Sequence, residues 1–332
     1  MRDCKISLKG FYSFLFLYIL GVLALIFYLP YTQVEQHLLE GSSLTAVFTQ
    51  IVFDLSQNYI FLRLVFFFIS LVSFYLFAKI SKFFLQNEYY YLALFIYLLI
   101  PGIFVSFVIP NYAAIPLFLI LLFLFSYFYN FFLLEAAALV LLFFTKAPVF
   151  IFYFAIALFG YYKKDWRLFS IGAILFIINA IISPYNIGGV PKGYIVELFI
   201  GYAIVFTPFY FIATFYALYR LGREKNFSLV WFIASSFAVV SILLSVRQKI
   251  DITDFAPFIV IATPLVVLVF KNSVIIRLKR FQKWHLRVCK IVLLFLFIES
   301  CLVALSYPIY ELSNHQIKIV NSKIYTIKKS LQ

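Results

Sequence analysis

The residues able to do chemistry in this sequence sit in short polar interruptions of an otherwise apolar chain. Glu35 and Glu40 stand in YTQVEQHLLEGSS, just after the first long apolar stretch. A carboxylate there suits a general base, which takes the proton of an attacking hydroxyl. Lys146 stands in LLFFTKAPVF, and Arg247 and Lys249 stand in SVRQKIDITDFAPF. Cations of these types hold phosphate, the guanidinium by donating two parallel hydrogen bonds. Arg63 lies in NYIFLRLVFF, a few residues inside an apolar run, where an ionisable group is a functional candidate because it is costly to keep. Asn111 lies between two prolines in IPNYAAIP. Each has a plainer reading. Lys146 and Arg63 snorkel to the headgroups. Arg247 and Lys249 pair with Asp251 and Asp254 in a surface turn. Glu35 and Glu40 are exposed loop carboxylates, and Asn111 is a turn residue.

The elements that must position these groups follow from composition. The 332 residues are 65% hydrophobic and 12% charged, with a mean hydropathy of +1.04. A soluble domain is nearer half apolar and a quarter charged, and no soluble fold of this size hides so much apolar surface. A soluble enzyme, a nucleic-acid binder and a disordered chain are excluded. Apolar stretches of about twenty residues predict membrane-crossing helices, in which every backbone group is paired internally. They fall near 11–30, 59–78, 89–109, 112–128, 131–145, 147–162, 168–183, 198–219, 227–246, 255–270 and 290–307. The expected fold is an all-α, polytopic integral membrane bundle of about eleven transmembrane helices over residues 1–307. A short tail, 308–332, follows it.

The net charge of +14 is read as flanking cations. Segments 1–10, 79–88, 129–131, 163–167, 220–226 and 271–290 hold 18 of the 27 Lys and Arg. That bias predicts a bacterial inner-membrane protein with these segments and the N-terminus cytoplasmic, and the C-terminus periplasmic. The N-terminal apolar stretch is expected to stay as a signal-anchor. The basic loop 271–290 is expected to lie on anionic headgroups. Segments 31–58, 110–111, 146, 184–197 and 247–254 fall on the other side. Loop 31–58 is expected to carry one or two short interfacial helices, the first stopping at Gly41. Cys4, Cys289 and Cys301 suggest no disulfide, and His37, His285 and His315 have no metal-ligand spacing. No GxGxxG or P-loop is present, so the donor must reach the outer face without a soluble nucleotide unit. A lipid-linked donor meets that demand.

Taken in order, these motifs resemble the polytopic glycosyltransferases of the GT-C class, the type that includes protein O-mannosyltransferases and bacterial aminoarabinose transferases. A single span is followed by a long acidic outer loop. NYIFLRLVFFFISLVSFYLFAKI, with Arg63 and Lys79, is similar to the class's second span. ALFIYLLIPGIFVSFVIPNYAAIPLFLILLFLF, with Pro101 midway, is similar to the third and fourth. LVLLFFTKAPVFIFYFAIALFGYYKKDWR is similar to its Thr-Lys-x-Pro segment and basic-Trp turn, and RQKIDITDFAPFIVIATP to its late Arg loop. The resemblance covers about residues 10–270. It implies transfer of a sugar from a polyprenyl-phosphate carrier to an envelope glycan, lipid or protein acceptor on the periplasmic face. It implies an acid in the first outer loop as base or metal holder, matched by Glu35 and next by Glu40. Lys146 and Arg247 match the basic positions near the donor phosphate, with Lys249 and Arg63 beside them. Asn111 stands where the class often carries Asp, so the resemblance leaves a divalent metal without that ligand. The class's soluble C-terminal domain has no counterpart here. Two other readings stay open: a non-catalytic member that binds lipid-linked substrate or scaffolds a complex, and a flippase for polyprenyl-linked glycans. Thr145-Lys146-x-Pro148 has no counterpart in the second half, so the matching halves common in transporters are not seen.

Overall fold

The computed structural model describes residues 8–145, 148–182, 188, 191 and 193–313. Every regular element among them is a helix. In chain order they are α1 (Leu8–Tyr28), α2 (Gln33–Leu39), α3 (Leu44–Ser56), α4 (Tyr59–Phe84), α5 (Asn87–Leu99), α6 (Pro101–Val108), α7 (Ala114–Tyr129) and α8 (Phe132–Phe143). Then follow α9 (Val149–Lys163), α10 (Trp166–Ile182), α11 (Ile195–Phe206), α12 (Pro208–Arg223), α13 (Leu229–Ser245), α14 (Ile252–Val260), α15 (Thr263–Ile276) and α16 (Lys279–Ser313). By length and composition three helices, α1, α4 and α16, can each cross a membrane; the number rises to seven if each bent helix pair is one span. Five shorter apolar helices accompany them: α7, α8, α9, α10 and α13.

The sequence predicts single spans at 89–109, 198–219 and 255–270, and each is two helices that meet at a bend. α5 and α6 meet at 65°, α11 and α12 at 104°, and α14 and α15 at 50°. Proline explains each break, because it lacks a donor and its ring clashes with the preceding turn. Pro101 and Pro208 open α6 and α12, and Pro264 sits in the first turn of α15. Thr207 takes φ 64 to make the sharpest of these bends.

The breaks are tied together by side chains. Ile103 N donates to Ile100 O at 2.9 Å, which leaves Leu99 O outside the helical ladder. Ser300 Oγ of α16 donates to that carbonyl at 2.5 Å. Tyr210 Oη donates to Thr263 Oγ1 at 2.8 Å, joining the start of α12 to the start of α15. α9 and α10 pack backbone to backbone: a Cβ on Gly172 would stand 2.7 Å from Ala157 N and 2.9 Å from Tyr153 O.

Contacts sort the connections onto two faces. On one face Tyr112 Oη donates to His37 O at 2.8 Å, and Leu44 N donates to Phe144 O at 3.0 Å. Gly193 N donates to Val246 O at 3.2 Å. On the opposite face Arg167 pairs with Glu135 at 3.0 Å, Phe83 stacks on Phe128, and Tyr162 meets Phe227 edge-on. The basic segment expected as a loop over 271–290 is helical over most of its length. α15 runs to Ile276, and α16 takes in the remainder from Lys279 onward. At 1.5 Å per residue the 35 residues of α16 extend about 52 Å, so its basic first turns reach past a hydrocarbon layer of about 30 Å. The same helix continues to Ser313, beyond the predicted span end at 307.

Candidate functional site

A cavity of about 700 Å³ opens where three connections of one face meet. α2 and the residue after it supply Gln33, His37 and Glu40; the α6–α7 connection supplies Asn111 and Tyr112; the start of α14 supplies Asp251, Thr253 and Asp254. Below this polar mouth the walls are apolar, with Ile103 and Val105 of α6, Leu117 of α7, Val205 of α11, and Pro257 and Val260 of α14. The shape is polar at one end and oily at the other.

Local chemistry explains how each wall is set. Thr32 and Glu35 form a capping box at the start of α2, each satisfying an N–H of the other end. α2 and α3 then meet at 97°, which fulfils the expectation of short helices in 31–58. Asp251 caps α14, its Oδ1 accepting from Thr253 N at 3.3 Å and Thr253 Oγ1 at 2.9 Å. Asp254 lies half-buried one turn on. Asn111 Oδ1 accepts from Ala113 N at 3.1 Å, and its Nδ2 donates to Ser106 Oγ at 3.0 Å. Those bonds make Asn111 the turn residue of its plainer reading.

Glu35 is the clearest departure from expectation. It is fully buried and does not line the cavity. Its Oε1 accepts from Arg63 Nε at 2.6 Å; its Oε2 accepts from Arg63 Nη2 at 2.8 Å, Thr32 N at 2.8 Å and Thr32 Oγ1 at 2.9 Å. Arg63 also donates to the carbonyls of Ile26, Leu29 and Pro30 at 3.2, 2.6 and 2.7 Å. All five guanidinium N–H groups are thus used. The pair locks the end of α1 to α2 and α4. Neither residue reaches the cavity, so Glu35 is not placed to take a substrate proton there, nor Arg63 to hold a phosphate.

Glu40 does line the cavity and is exposed, with Gln36 Nε2 donating to its Oε1 at 3.2 Å. Arg247 is exposed and is not a lining residue. Lys249 pairs with Glu197 at 3.0 Å on the surface, also away from the lining. Lys146 lies outside the described residues. The fold therefore does not bring Arg247 and Lys249 to the mouth where Glu40 stands. Among the described residues that line the cavity there are three carboxylates, one histidine and no Lys or Arg.

Tyr112 is a residue that sequence reasoning passed over, and Asp254 was read there only as a partner for Arg247 and Lys249. Burial first, then the charges of Asp254 and Glu40, push the pKa of the Tyr112 hydroxyl up. It stays protonated and donates to His37 O. The signal for it was its place beside Asn111 between two prolines. Among the described residues no group of three His, Cys, Asp or Glu is placed to hold a metal ion. The mouth can accept hydroxyl protons and orient hydroxyl groups, and the walls below can take an apolar chain.

No family model matches the sequence, and no curated protein or solved structure matches it either.

Proposed function

We propose that this chain is a membrane glycosyltransferase of the GT-C type, moving a sugar from a polyprenyl-phosphate donor to a hydroxyl acceptor at the outer face of a bacterial inner membrane. One observation carries the reading: a carboxylate-bearing mouth sits directly above apolar walls in a single cavity. A lipid-linked sugar has the same two-part character. In this reading α5–α6, α11–α12 and α14–α15 each cross once, and with α1, α4, α7, α8, α9, α10, α13 and α16 they give eleven crossings. The cavity then faces outward and the basic connections face the cytoplasm.

The acceptor oxygen attacks the anomeric carbon as the bond from that carbon to the phosphate oxygen breaks. The phosphate leaves with the electron pair, and the acceptor proton passes to Glu40. Glu40 takes the role that the family resemblance suggests for Glu35, because it lines the cavity while Glu35 is held by Arg63. Asp254 and Tyr112 orient the acceptor. Lys146 is the cation the reading requires at the leaving phosphate. The envelope glycan, lipid and protein acceptors are all compatible with this chemistry.

A second reading is favoured by one observation. Glu35 and Asn111 are committed to internal hydrogen bonds, and these are the positions where the resembled class places acids. A non-catalytic protein that only binds the lipid-linked sugar fits that. Purified protein in proteoliposomes, given a polyprenyl-phosphate sugar and candidate acceptors, separates the two. Loss of donor sugar that Glu40→Gln abolishes supports transfer. Donor binding with no consumption overturns it in favour of the binding reading.

A further inference from the structure

A second, smaller pocket lies between α5, α12, α15 and α16 and shares no lining residue with the large cavity. It measures about 140 Å³, and its walls are apolar, among them Ile96, Ala213, Val266 and Val292. One edge is different. His285 lines it and stacks on Phe270, with ring centroids 5.0 Å apart. His285 Nε2 is buried and makes no hydrogen bond among the described residues. A buried polar atom without a bond is costly and asks for a reason.

The charges around that edge are basic. Arg220 Nη1 donates to Ser273 Oγ, a lining residue, and Arg220 Nε donates to Glu224 at 2.8 Å. A guanidinium has more donors than those two bonds use. Arg277 closes α15 four positions after the lining Ser273, and its carbonyl accepts from Gln282 Nε2 of α16 at 2.8 Å. Arg280, Lys283 and Arg287 follow on the first turns of α16. Glu224 is the carboxylate paired with Arg220 here, and its charge is met by that pair.

We propose that this pocket is a binding site for an anionic glycerophospholipid, with a short stretch of one acyl chain in the apolar slot and the headgroup phosphate among Arg220, Arg277 and the Nε2 edge of His285. An apolar slot alone would take any lipid chain. The cations at its rim select the negative headgroup, and the imidazole in its Nε2–H tautomer donates to the phosphate. The site stands apart from the sugar-transfer reading, since it uses none of the large cavity's residues.

The test is native mass spectrometry of the purified full chain, titrated with phosphatidylglycerol, phosphatidylcholine of the same chains, chain-free glycerophosphoglycerol, and polyprenyl phosphate. Phosphatidylglycerol is expected to bind at least about fivefold more tightly than phosphatidylcholine, the effect of about one basic residue near an anionic lipid. The chain-free headgroup is expected not to compete. Arg277→Gln is expected to weaken phosphatidylglycerol about fivefold, and Ala213→Phe to block it by filling the slot. Arg277 is exposed, so its variant decides the matter if Ala213→Phe does not fold. Equal affinity for the two phospholipids, unchanged binding in Arg277→Gln, competition by the free headgroup, or tighter binding of polyprenyl phosphate would each overturn the proposal.

Discussion

Arg63 and Glu35, separated by 28 positions in the chain, meet in a two-pronged ion pair with both side chains buried. Removing one partner of such a pair strands the other charge, at about 3–5 kcal/mol. Glu35→Ala and Arg63→Ala are therefore expected to lower the unfolding temperature in detergent sharply. Any folded fraction should keep its activity per molecule. A Glu35→Ala protein that melts like wild type yet transfers no sugar would restore Glu35 as the base.

Glu40 behaves in the opposite way. It is exposed and its carboxylate accepts from Gln36 Nε2 on the surface, so Glu40→Gln should leave melting unchanged. Transfer should fall about 10²–10⁴-fold, the usual contribution of a positioned base. Turnover in proteoliposomes, set beside a melting curve, reads both at once.

Lys146 and Arg247, two of the cations singled out in the sequence, should also part company. Lys146→Ala is expected to lower transfer about 10²–10³-fold, as for loss of one stabiliser of developing charge. Arg247 is exposed and lies off the cavity wall, so Arg247→Ala should leave turnover near wild type. Equal loss in both variants would place Arg247 at the leaving phosphate after all.

The Tyr112 hydroxyl has its pKa raised by burial and by Asp254 and Glu40. A phenol whose pKa is raised in the folded state stays neutral at low and middling pH. Its hydrogen bond to His37 O is lost only as pH rises through that elevated value. Tyr112→Phe should thus change kcat/KM by the same factor at every pH from about 6 to about 9. A variant that removes a limb of the profile in that range would show that Tyr112 ionises there.

Gly172 packs against the backbone of α9, and backbone cannot swing aside as a side chain can. Gly172→Leu should cost about 1–3 kcal/mol by overpacking. The unfolding temperature in detergent measures it, and an unchanged value would mean that the α9–α10 hairpin has room that its geometry denies.

Much of the architecture was legible because it rests on composition and punctuation. Apolar run length located the helices, and Pro101 was noted midway along one run, but the bends at Pro208 and Pro264 were not read. The charge bias separated the two sets of connections that the contacts of Tyr112, Leu44, Phe83 and Arg167 later grouped onto opposite faces. The site was less legible, because a carboxylate's role depends on what reaches it. Thr32-x-x-Glu35 is a capping-box pattern written in the sequence, but Glu35 was read there only as a base or an exposed loop carboxylate. That Arg63 would complete the burial of Glu35 depends on the angle between α1 and α4, which local patterns do not encode. Asp254 came to the cavity because α14 is short and sits above a bend, and Tyr112 because its hydroxyl found a carbonyl 75 positions away.

The hydrogen bond from Ser300 to Leu99 spans 201 positions, and that fixes an order of biogenesis. The ribosome delivers the acceptor long before the donor, so the fracture at Pro101 leaves the translocon with that carbonyl still unmatched. When α16 arrives, Ser300 clasps that carbonyl. A chain stopped before α16 is expected to be cleared quickly in a pulse-chase, and one as long-lived as the intact protein would show that the earlier helices finish without it.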